Sequence, residues 1–169
     1  MILLDTCTLL WLAFEPARLS PAAREAIASV GDGVFVSAIS AWEIAWKHRH
    51  GGLRLELDPA RWFPLALENH ALREVPLTAA IALRMAALPP IHRDPADRFL
   101  ISTAQELRLR LVTPDPVIRQ YPDLNTLWQS PARKHHKPDP RGAPACGGIA
   151  GGARDGPALT APAACCATA

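Results

Sequence analysis

Cysteine is scarce in the part of the chain that could form a domain. Of the four cysteines in 169 residues, Cys146, Cys165 and Cys166 lie beyond residue 129, leaving Cys7 alone before it. One cysteine closes no internal disulfide, and no C-x-x-C pair offers a zinc site. Long apolar runs are missing too, with no charge-free stretch near the roughly 18–20 residues that span a bilayer. The first apolar run is broken by Asp5 and has no basic residue before it, so it does not read as a signal peptide. A soluble, cytoplasmic protein with no membrane contact is the expectation. A chain-wide basic excess is absent as well. The net charge is +2, but residues 1–129 carry 13 basic and 14 acidic residues. A protein held to nucleic acid by overall charge alone is therefore excluded.

The excess belongs to residues 130–169, where Arg133, Lys134, Lys137, Arg141 and Arg154 face only Asp139 and Asp155. This segment holds six of the ten glycines and no aromatic residue. With neither helical nor strand periodicity, it reads as a disordered tail. Its basic cluster has two readings, a nucleic-acid tether or a solvated linker. Residues 1–129 fall within the roughly 100–200 residues of one domain and read as one, with ample apolar content for a core.

What is present in residues 1–129 is alternation. Short apolar runs at Met1–Leu4, Val34–Ser37, Leu72–Leu77, Leu109–Thr113 and Leu124–Trp128 read as buried strands. Helical stretches are expected at about 8–14, 20–30, 38–50, 59–70, 78–87, 95–108 and 116–121. Ser20-Pro21, Asp58-Pro59, Asp94-Pro95 and Asp115-Pro116 each set a capping residue before a proline, a start signal for a helix. Strands alternating with helices imply right-handed crossovers, hence an α/β fold with a parallel sheet covered on both faces.

Ligands bind such sheets at the carboxyl ends of the strands. Asp5 ends the first strand, Glu43 stands in the second turn of the helix after the second, Asp97 opens the helix begun by Asp94-Pro95, and Asp115 follows the strand ending at Thr113. Each acid also has an ordinary structural reading. Asp5, Asp94 and Asp115 are natural helix caps. Ser40 and Glu43 have capping-box spacing, Glu43 and Lys47 stand at i,i+4, and Asp97 suits a helix dipole. Jointly, four carboxylates from four segments would repel one another unless a cation sat between them. Mg²⁺ or Mn²⁺ fits such oxygen donors, and that is the apparatus of metal-assisted phosphodiester hydrolysis. No phosphate-binding glycine loop or nucleophile elbow competes with it.

Four segments carry a resemblance: ILLDTCTLLWL from Ile2, VSAISAWEIAWK from Val36, HRDPADRFLISTAQ from His92 and VTPDP from Val112. Together, and in this order, they resemble the PIN-domain ribonucleases, specifically the VapC-type toxins of bacterial toxin–antitoxin pairs. The resemblance runs from Met1 to about Trp128 and implies a three-layer α/β/α sandwich. It implies a Mg²⁺-dependent acidic site that cuts RNA, with Asp5 and Asp97 as leading metal ligands. Glu43 and Asp115 would complete that site directly or through water, and Asp94 is a fifth acid whose capping role is preferred. It also implies a cognate antitoxin and a homodimer.

An acidic pocket needs positive charge beside it to admit RNA. Arg98, Arg93 and Lys47 are the expected contacts, with Thr113 as a hydroxyl donor to a carboxylate or phosphate. Trp11, Trp42 and Trp46 are stacking residues in principle, though the spacing of Trp42 and Trp46 suggests core or interface. The apolar block Leu9-Leu10-Trp11-Leu12 reads either as interface or as core. Two other readings stay open: an RNA-processing nuclease of the same fold without an antitoxin, and a non-catalytic α/β binding module.

Overall fold

The computed structural model describes residues 1–128; the expected disordered tail, residues 130–169, lies outside the described residues. Five strands form one sheet: β1 (Ile2–Leu4), β2 (Val34–Ser37), β3 (Arg73–Val75), β4 (Arg110–Val112) and β5 (Thr126–Leu127). Their order across the sheet is β3-β2-β1-β4-β5, and every neighbouring pair is parallel. All five expected strands are present. Six α-helices accompany them: α1 (Thr6–Phe14), α2 (Pro21–Ser29), α3 (Ala38–Arg49), α4 (Pro59–Asn69), α5 (Ala79–Ala87) and α6 (Pro95–Glu106).

Side-chain alternation along the strands builds the three layers. Ile2, Leu4, Val34, Val36 and Val112 face one side, where they pack with Leu9, Leu10 and Trp11 of α1, Ala23 of α2 and Trp62, Phe63 and Ala66 of α4. Leu3 and Leu111 face the other side, against Leu100, Ile101 and Ala104 of α6. Because both faces are covered, β1 reads ILL with all three residues buried, as a central parallel strand must. Helix α3 borders both layers, with Ile44 in the first cluster and Ile39 in the second. The apolar block after Asp5 is therefore core: Leu9, Leu10 and Trp11 are buried. Among the described residues, no helix is long and apolar enough to cross a membrane.

Two expectations are corrected. The helix expected over 116–121 is a single 3₁₀ turn, Ile118–Gln120. Pro122 follows at once and holds Tyr121 extended (ψ 132°), so the turn cannot propagate. The capping box is not formed either. Ser37 caps α3 by accepting from the Ile39 N–H, while Ser40 lies inside the helix and accepts from the Thr6 hydroxyl at 2.9 Å.

Candidate active site

The order of the strands puts β1 and β4 side by side at the centre of the sheet, and both strands end in polar residues that meet there. Asp5 follows β1 and caps α1, one carboxylate oxygen accepting from the Cys7 N–H at 3.3 Å. Its other oxygen accepts from the Thr113 hydroxyl, just past β4, at 2.6 Å. Thr113 Oγ1 also accepts from the Asp115 N–H at 3.1 Å, tying the two strand ends together. Asp5 thus serves its expected role as a cap and stands, with its second oxygen, at the junction of the two strand ends. Thr113 is fully buried, so its hydroxyl binds a carboxylate and is closed to RNA.

Glu43 arrives from α3 and is 9% exposed. Its Oε1 pairs with Lys47 Nζ at 2.6 Å, the expected i,i+4 contact. Its Oε2 is buried without a hydrogen-bond partner. Asp97, in the first turn of α6, lies 3.3 Å from His92 Nε2, which also bonds Asp115 Oδ2 at 3.2 Å. Asp115 Oδ1 accepts from the Val117 N–H at 2.6 Å. Asp94 is exposed and caps α6, accepting from the Ala96 N–H at 2.8 Å.

The electrostatics show how closely the acids crowd. Burial raises Asp5 from the ordinary 3.8 to about 6; the Thr113 hydrogen bond opposes this, while the Glu43 and Asp115 charges add to it. Asp97 rises from 3.8 to about 8, first through burial and then through the charges of Asp5, Asp94, Glu43 and Asp115. Asp5 and Asp97 therefore each feel the charge of neighbouring acids from other segments. Without a cation such a cluster relieves its repulsion by holding protons. An oxygen-rich cluster with one unpartnered buried carboxylate oxygen fits a divalent metal ion. His92, Asp97 and Asp115 each offer a ligand atom within 4.8 Å of the others.

His92 was not among the expected site residues. It stands in the HRDP segment, five positions before Asp97, but its second partner, Asp115, is distant in sequence. Of the flanking cations, Arg98 and Lys47 are engaged within the fold. Arg98 turns away from the pocket and donates to the carbonyls of Pro89 (2.8 Å), Leu88 (3.0 Å) and Met85 (3.1 Å). It ties α6 to the end of α5. Arg93 is exposed beside the acids, and Lys47 is engaged with Glu43. Trp42 and Trp46 are not core: they are 54% and 50% exposed and stack along α3 at 6.4 Å.

A PIN-domain sequence profile matches residues 2–124. The chain belongs to the PIN-domain family. This PIN domain is 37% identical to Ribonuclease VapC22 of Mycobacterium tuberculosis over 130 residues, which span 75% of this chain and 98% of the relative. Among solved structures it is similar to VapBC2 from Rickettsia felis bound to a promoter DNA fragment. That match has a TM-score of 0.58 at 14% identity and covers 76% of this chain and 100% of the other. A toxin–antitoxin complex from Klebsiella pneumoniae matches with a TM-score of 0.54 at 21% identity, over 73% and 95% of the two chains. DNA-bound VapBC from Salmonella typhimurium gives 0.56 at 16% identity, over 75% and 98%. At these identities the structural likeness establishes the fold, the three-layer PIN-like sandwich expected from the sequence.

Proposed function

We propose that this PIN domain is a metal-dependent ribonuclease, the toxin of a toxin–antitoxin pair acting in the cytoplasm, with Mg²⁺ or Mn²⁺ as cofactor. One observation carries the reading. Four carboxylates from four segments crowd the carboxyl ends of β1 and β4, leaving Asp5 and Asp97 with raised pKa values and Glu43 Oε2 unpartnered. A ribonuclease relative 37% identical over nearly its whole length supports the substrate class. The VapC type of that relative supports an antitoxin partner.

In this reading Asp5, Asp97 and Glu43 hold the ion, and Asp115 completes the site from the β4 side. When bound, the ion supplies Lewis acidity for attack of water on the scissile phosphate. Thr113 keeps the Asp5 carboxylate oriented through its 2.6 Å hydrogen bond. Lys47 compensates part of the charge of Glu43, and Arg93, exposed and next to Asp94 in sequence, is the cation assigned to an RNA phosphate in this reading. A homodimer and an antitoxin segment that covers the acids belong to the same proposal.

Cleavage of RNA by the purified protein tests it. Activity is expected with Mg²⁺ or Mn²⁺ and not with EDTA, and Asp5→Asn and Asp97→Asn should each lose ~100-fold or more, since even residues supporting metal ligands are worth about 10–100-fold. Wild-type protein that cuts no RNA with either metal overturns the nuclease reading. Equal cutting by both variants overturns the site.

A further inference from the structure

His92 lies between two of the four acids, and its hydrogen bonds reveal the state of its ring. The Asp94 backbone N–H donates to His92 Nδ1 at 3.2 Å. A backbone N–H can only donate, so Nδ1 presents its lone pair and the ring proton sits on Nε2. That Nε2–H bonds Asp115 Oδ2 at 3.2 Å and lies 3.3 Å from Asp97 Oδ2. Direct ligation of a cation through Nε2 would need the proton moved to Nδ1, where it would face the Asp94 N–H. The ring is thus arranged as a donor to the carboxylates and not as a ligand.

The residues behind the ring fix it in place. The backbone N–H of His92 donates to the hydroxyl of Tyr121 at 2.8 Å, and that hydroxyl donates to the Pro89 carbonyl at 3.1 Å. Tyr121 is the chain's one tyrosine and is buried. Arg98 reinforces the same segment through the carbonyls of Pro89, Leu88 and Met85. The connection from α5 to α6 is therefore a braced platform carrying a single imidazole into the acid cluster. Asp115 Oδ1 is already held by the Val117 N–H, so a bond from His92 to Oδ2 secures both oxygens of that carboxylate.

We propose that His92 is a positioning residue whose Nε2–H spans Asp97 and Asp115 and sets the spacing of the two carboxylates for a divalent cation. The inference rests on the metal-dependent reading above and adds to it a residue that works through others. Partners that orient carboxylate ligands in this way are worth about 10–100-fold in metal affinity.

Mn²⁺ binding to the purified protein, followed by electron paramagnetic resonance, tests this without any RNA. His92→Ala is expected to weaken Mn²⁺ by about 10–100-fold. His92→Gln, whose side-chain amide still offers an N–H, should recover much of that loss. Tyr121→Phe leaves the ring intact but frees its backbone, and a smaller loss is expected. The pulsed spectrum of wild type should show no directly coordinated ¹⁴N. Unchanged or tighter Mn²⁺ binding in His92→Ala overturns the proposal, as does a coordinated ¹⁴N signal in wild type. If the wild type binds no Mn²⁺ at all, the metal reading falls and this inference with it; if it binds and only the variants behave otherwise, the metal reading stands.

Discussion

Asp5 and Thr113 illustrate how one short hydrogen bond joins folding to chemistry. The Thr113 hydroxyl has no solvent to turn to and donates to a carboxylate that is itself buried. A bond to the charged form favours that form, so Thr113 restrains the rise that burial imposes on Asp5. Thr113→Val keeps the shape and removes the donor. Its expected effects are an Asp5 midpoint above the present value of about 6, and stability lower by about 1–3 kcal/mol from the lost bond. The first is read from the ¹³C shift of the Asp5 carboxyl against pH, the second from urea unfolding. A midpoint that stays put would mean the hydroxyl has no hold on Asp5. At this scale the sequence was a partial guide. Asp-Pro and Ser-Pro caps are local chemistry and were visible. The role of Thr113 depends on β4 lying beside β1, and that of His92 on a backbone N–H two residues away combined with a remote aspartate.

At the scale of elements, the strands were legible because burial on both faces leaves continuous apolar runs, and the starts of α2, α4 and α6 because each has a cap followed by proline. Helix ends were harder to read. The segments after α4 and α6 turn through Ala71 (φ 51°) and Arg108 (φ 53°), residues that give no glycine stop signal, so α6 was expected to run to 108 and ends at Glu106. The bracing role of Arg98 is hidden for a related reason: the carbonyls at the end of α5 need a donor, and a spacing rule within one helix does not show a need in another. Its guanidinium reaches three carbonyls in a way that a lysine point charge cannot. Arg98→Lys and Arg98→Ala should therefore both lose about 2 kcal/mol of stability in urea unfolding. An RNA contact would behave differently, since lysine would keep phosphate affinity and neither change would matter to folding.

For the whole molecule, the acid cluster sets stability against function, and pH exposes the balance. Asp5 and Asp97 have raised pKa values, so between 3.8 and about 8 the folded chain binds more protons than the unfolded one. Stability contributed by these groups is then highest below 3.8 and falls as pH rises through their folded values, the reverse of a paired carboxylate. Asp97→Asn imitates the protonated form and isolates the larger effect. Without metal, it should match wild type near pH 4 and exceed it above pH 8. The gain is about 2–4 kcal/mol for a side chain 20% exposed, with the shift discounted for solvent screening and shared with Asp5. Saturating Mg²⁺ should reverse the order at high pH, because an ion bound only by the folded wild type adds stability that the variant cannot gain. Urea unfolding at several pH values, with Mg²⁺ and with EDTA, measures both halves. A constant difference between the two proteins across pH would mean that Asp97 titrates alike in the folded and unfolded chains. The near-neutral charge of residues 1–129 conceals this tension, since the sum over the chain says nothing of four carboxylates from separate segments meeting at the ends of two strands.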